Sequence, residues 1–207
     1  MPVSDHLDFF RAEMKSCEEL RLHAQQVVDS QARAMIYESV LLRAFRAHEN
    51  YVERLFLSYL VGDITEDGKV VASFASPRDR EHARKMVSSS AAARFLDWSE
   101  PATVRERCGV FFEQDDPVYT AVGGKSTELT WMKKVRNHVA HNSVESATQF
   151  AGVLRVVLLT EPTPIPSPGD FLQKIPTKGP VRGREVLAFF LATVRECSEA
   201  AAGVAAA

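Results

Sequence analysis

The chain has 207 residues, 45% of them hydrophobic, and a formal net charge of −2. That composition supports a packed core and excludes an intrinsically disordered chain. The near-neutral balance excludes a protein that coats nucleic acid by bulk charge, so any RNA contact must come from a local basic patch.

The expected elements, in chain order, are mostly helices. Asp8 to Val28 carries apolar residues at helical spacing, with charges between them. A stronger amphipathic pattern runs from Arg33 to Val61, and Gly62 is a natural stop. Residues 63–75 are rich in turn formers and are expected to be irregular or a small hairpin. Ser76-Pro77 and Ser99-Glu100-Pro101 each read as a helix start, the second helix ending near Phe112 before the break at Asp115-Asp116-Pro117. A further helix is expected from Ser126–Glu128 to His141. Asn142 and Glu145 are expected to pair as the cap of the next helix, through Val157. Six of the ten prolines fall between Pro162 and Pro180, which predicts a long surface loop, available as an arm onto a neighbour. A last apolar-faced helix runs from Arg184 to about Ala200.

The fold expected is therefore all-α: an antiparallel helical bundle with a short irregular or hairpin insertion and a proline-rich loop before the last helix. No linker or repeat divides it, so one domain is expected over 1–207. Its core lies at about 33–160, the loop at 161–182 and the C-terminal helix at 183–200. Cys17, Cys108 and Cys197 are far apart and form no C-x-x-C, so reduced thiols, no zinc site and a cytoplasmic location are expected. The N-terminus lacks a basic run leading into an apolar stretch, so no signal peptide is expected. Apolar runs fall far short of the ~20 residues of a membrane span, so no membrane partner is expected.

The chemistry concentrates in Arg136-Asn137-His138-Val139-Ala140-His141, or RNHVAH. Arginine is a permanent phosphate clamp and histidine titrates near neutrality. Together they are a minimal kit for cleaving RNA without metal or cofactor. Lys133 and Lys134 extend the group into the densest basic cluster of the chain, a candidate RNA-binding surface. Arg43 and His48 repeat the spacing. Five steps of ~100° place such a pair ~140° apart on a regular helix, so the copy inside an uninterrupted helix is set aside. At Arg136 the pair Asn142-Ser143 is expected to bend the chain and swing His141 back. Val122-Gly123-Gly124-Lys125-Ser126-Thr127 has the look of a phosphate loop but carries Val118 where the first glycine belongs, and reads as a turn plus a helix cap.

RNHVAH on a helix in the second half of an all-α chain resembles the signature of the HEPN superfamily (higher eukaryotes and prokaryotes nucleotide-binding domains). There an arginine and a polar residue are followed after a short gap by histidine. The stretch from Arg43 to Phe56 resembles that family's long early helix, and Phe95-Leu96-Asp97-Trp98-Ser99 is similar to its bacterial RiboL-PSP-type and MAE-type branches. The resemblance implies a metal-independent endoribonuclease, often a toxin or anti-phage effector, that dimerises so that two motifs form one composite site. It implies Arg136 and His141 as the catalytic pair and Asn137 as polar helper, with His138 at a variable, supporting position. The reaction expected is attack of the RNA 2′-hydroxyl on phosphorus, leaving 2′,3′-cyclic phosphate and 5′-hydroxyl ends. The alternative is a non-catalytic helical dimer that binds RNA or nucleotide, or a regulatory partner in a toxin–antitoxin system.

Overall fold

The computed structural model describes residues 2–88, 97–113 and 116–204. Phe95 and Leu96 of the 95–99 turn, and Asp115, lie outside them. Among the described residues the chain forms nine helices and no strand. These are α1 Val3–Ala24, α2 Ser30–Leu60, α3 Arg80–Val87, α4 Pro101–Phe111, α5 Pro117–Gly124, α6 Ser126–His141, α7 Val144–Leu158, α8 Pro168–Leu172 and α9 Val186–Ala201. No described helix is long and apolar enough to cross a membrane.

Local chemistry explains most of the boundaries. Asp79, rather than Ser76, starts α3, because its carboxylate accepts the His82 N–H. The hairpin over 63–75 reduces to two isolated antiparallel bridges, Ile64 with Val70 and Ser73 with Phe112. Of the turn expected over 122–127, Val122 to Gly124 belong to the helix α5 and Lys125 is the turn into α6; α5 is capped where the Asp116 side chain accepts from Val118 N and Tyr119 N.

Residue contacts gather into two compact units, each assembled from distant segments. The first comprises Met1–Ala12, Ala47–Ser126 and Arg195–Ala207. Phe56 is at its centre, with Trp98 and Phe112 ring centroids at 5.1 and 4.8 Å. The C-terminal part of α9 is tied in by polar contacts. Tyr59 Oη donates to Ala201 O at 2.8 Å, and His48 Nδ1 lies 3.0 Å from Ser198 Oγ.

The second unit comprises Glu13–Arg46 and Thr127–Val194. Arg21 donates to Glu185 at 2.9 Å and to Glu18 at 2.6 Å, and Tyr37 Oη donates to Glu185 at 3.0 Å. The proline-rich segment is not a free surface loop. It folds into α8, whose Phe171 and Leu172 are fully buried, with Phe171 edge-on to Phe150 at 5.6 Å. Gly169 sits so close to α2 that its N–H donates to Glu38 Oε1 at 2.9 Å. The sequence showed six prolines but not the apolar pair between them as an anchor.

Two predictions follow from this packing. A Cβ at Gly169 would stand 2.5 Å from Ala34 O and 2.7 Å from Ala34 Cβ. Gly169→Ala is therefore expected to destabilise the protein by ~1–3 kcal/mol, read from urea unfolding. Burial lowers the His48 pKa to about 4 from 6.5. Above pH 6.5 the imidazole is neutral folded and unfolded. Between those values only the unfolded chain binds the proton, so stability falls as pH falls. Across that window wild type should lose about 3 kcal/mol more than His48→Gln; equal losses in urea titrations at pH 7 and pH 4 would exclude the assignment.

Candidate active site on helix α6

Helix α6 buries Leu129, Met132 and Val135. Leu129 and Met132 stand seven and four residues ahead of Arg136 and so share its face. Arg136 is accordingly half-buried, its guanidinium carbon 4.5 Å from the Phe45 ring centroid. This cation–π contact holds the group while leaving its charge intact. Arg136 Nη1 also donates to Asn137 Oδ1 at 2.9 Å, so these two motif residues act as one unit. The bond occupies the Asn137 carbonyl, and the amide N–H groups are the part of Asn137 suited to a phosphate oxygen.

His138 faces α7. Its ring stacks on Phe150, centroids 5.0 Å apart and planes 25° from parallel, and its Nδ1 lies 3.2 Å from Ser146 Oγ. Ser146 in turn closes the cap of α7. Its hydroxyl donates to Ser143 O and accepts from Ser143 N, both at 2.9 Å, while Ser143 Oγ accepts from Ser146 N. Ser143 Oγ also lies 3.2 Å from Ser146 Oγ, so one hydroxyl with one proton and two lone pairs is shared between Ser143 and His138. The cap expected from Asn142 and Glu145 is thus made one residue later, by Ser143 and Ser146.

His141 is the last residue of α6 and is exposed. Asn142 then takes a left-handed conformation, φ +45°, which asparagine tolerates, and its N–H donates to His138 O at 3.0 Å. The bend therefore falls after His141 instead of swinging it back. Helical phase keeps Arg136 and His141 ~140° apart on α6, so the helix does not bring the pair together within one chain. His141 instead shares an arc with Lys134, Asn137 and His138, seven, four and three residues before it. Lys133 lies at the edge of the same arc.

The other motif-like strings have structural employment. Arg43 donates twice to Glu13, at 3.0 and 3.2 Å, and His48 is buried against Ser198. Lys125, of the phosphate-loop-like string, donates to Glu196 at 2.6 Å. Cys17, Cys108 and Cys197 are free and buried, and among the described residues no His, Cys, Asp and Glu cluster into a metal-ligand group. The residues that sequence reasoning missed are Phe45, Ser146 and Phe150. Ser143-x-x-Ser146 was a legible capping signal, but the partners of the two rings required the fold.

His138→Ala removes a stacked ring and the bond to the α7 cap, and should destabilise the protein by ~1–2 kcal/mol in chemical unfolding. Wild-type stability in that variant would show that the contacts to Phe150 and Ser146 carry nothing. Compared with protein-family models, with curated proteins and with solved structures, the chain matches none.

Proposed function

We propose that the chain is a metal-independent endoribonuclease, acting in the cytoplasm as a homodimer and serving as a toxin or anti-phage effector held in check by an antitoxin or other regulatory partner. The observation that carries this reading is the arrangement at the end of α6. A titratable, exposed His141 stands in an arc with Lys134 and Asn137, and Asn137 is bonded to the fixed cation Arg136. The reading also explains why a dimer is needed. Helical phase separates Arg136 from His141 in one chain, and a second α6 facing the first would set each arginine across from the partner's histidine.

In that composite site one His141 takes the proton of the RNA 2′-hydroxyl as its oxygen attacks phosphorus. The P–O5′ bond breaks, and the leaving 5′-oxygen takes a proton from the second histidine. Arg136 stabilises the charge that builds on the non-bridging oxygens. Asn137 orients the phosphate, and Lys133 and Lys134 track the RNA backbone. His138, tied to Ser146 and Phe150, supports the site by fixing the α6–α7 corner. The competing reading, a non-catalytic RNA- or nucleotide-binding dimer, draws on the same contacts, since Arg136 over Phe45 and His138 on Phe150 have packing roles.

The test is purified protein with mixed cellular RNA in excess EDTA, with product ends analysed. Because His141 is exposed, His141→Ala should fold as wild type and cut at least ~10²-fold more slowly; the Arg136→Ala, His141→Ala double variant should be inactive. Cyclic phosphate ends from wild type alone are expected. Undiminished cutting by the folded double variant would exclude the site, and RNA retained on a gel but never shortened would favour the binding reading.

A further inference from the structure

In the first unit a cavity of about 280 Å³ is lined by His6 of α1, Arg54 and Leu57 of α2, and Arg80, Glu81 and Arg84 of α3. Three guanidiniums from two helices thus border a space at the small end of ligand pockets, which run from roughly 300 to 1,000 Å³. Two of them are held by carboxylates on the protein. Arg80 Nη2 donates to Asp63 Oδ2 at 2.6 Å and to Ser58 Oγ at 2.7 Å, and Arg84 Nη2 lies 3.2 Å from Glu53. Arg54 has no carboxylate partner among the described residues, and its guanidinium carbon lies 5.3 Å from the Phe9 ring centroid. Glu81 is paired with Lys85 at 2.7 Å. Among the described residues, Arg54 is the lining arginine whose charge no carboxylate offsets, whereas Arg80 and Arg84 are each paired.

The second observation is His6, only 5% exposed. Its Nε2 lies 3.2 Å from Arg80 Nη1. A guanidinium can only donate, so Nε2 supplies the lone pair and Nδ1 carries the proton of the neutral ring. That Nδ1 is buried and has no hydrogen-bond partner among the described residues. The cavity therefore gathers guanidinium donors from α2 and α3, with the buried His6 ring of α1 behind Arg80. Such a lining suits an acceptor with negative charge.

We propose that this cavity binds the phosphate group of a small ligand, either inorganic phosphate or a phosphate monoester. Phosphate fits better than a carboxylate because it offers more oxygens to guanidiniums carried by two different helices. Among the described lining residues Leu57 is the only apolar side chain. The one aromatic ring among them, His6, is buried and offers little stacking face, so the lining selects the phosphate rather than a base. The proposal does not depend on the ribonuclease reading.

The test is titration of the full chain with inorganic phosphate and, separately, ribose 5-phosphate. Ionic strength is held constant with chloride, and Tm and the ³¹P line width are followed. Wild type should show a saturable rise in Tm and broadened ³¹P signals. Arg54→Gln, at an exposed position, should fold as wild type and bind about tenfold more weakly, and adding Arg84→Gln should abolish the response. If the sugar phosphate competes with phosphate, the site takes esters; if it is excluded, the site takes the free ion. No saturable response, one that chloride reproduces, or one unchanged in both variants overturns the proposal.

Discussion

One hydroxyl holds the corner on which the presentation of the motif depends. Ser146 Oγ sits within hydrogen-bond distance of Ser143 N, Ser143 O and His138 Nδ1. Those contacts fix the first turn of α7 against the last turns of α6, and so decide where α6 stops. Each residue added to or removed from a helix rotates the next side chain by ~100°. A stop one residue earlier would take His141 off the arc it shares with Lys134 and Asn137. The capping box is thus a geometric constraint on the proposed chemistry as much as a source of helix stability.

The arginines divide by what faces them. Arg11 with Glu199, Arg21 with Glu18 and Glu185, Arg43 with Glu13, and Arg155 with Glu161 are neutralised at close range. The last is exposed and contributes little. Arg21 and Glu185 are both largely buried, so each would be costly to leave without the other. A slightly acidic chain thus absorbs much of its positive charge into structure. Arg54, at the arginine-lined cavity, is an exception: no carboxylate pairs with it among the described residues.

What was legible in the sequence was whatever is written locally. The span of α2, the end of α6 at His141 and the all-helical class follow from apolar spacing and from residues that break helices. Where several residues competed for one local role, spacing did not decide. Asp79 displaced Ser76, and Ser143 displaced Asn142, because only one oxygen in each case reaches the free N–H groups. The burial of α8 was hidden for a different reason. Prolines forbid a long helix but say nothing of whether Phe171 and Leu172 between them find a partner; Phe171 meets Phe150 of α7, and the neighbouring Gly169 reaches Glu38 of α2, more than a hundred residues away in sequence. The separation of Arg136 from His141 was calculable from the spacing, and the expected bend obscured it by one residue.

The two units interleave along the chain in a way that bears on biosynthesis. Unit one needs Ser198 and Ala201 to satisfy His48 and Tyr59, and unit two needs Glu185 to satisfy Arg21 and Tyr37. A nascent chain leaving the ribosome from its N-terminus can form α1 to α7 as local helices, but the buried donors of α1 and α2 wait for Glu185 and for α9. Unit two cannot close until Glu185 has emerged, nor unit one until Ser198 and Ala201 have. Until then the growing chain exposes the apolar faces of its longest helices, and a truncated translation product would have no smaller folded state in which to rest.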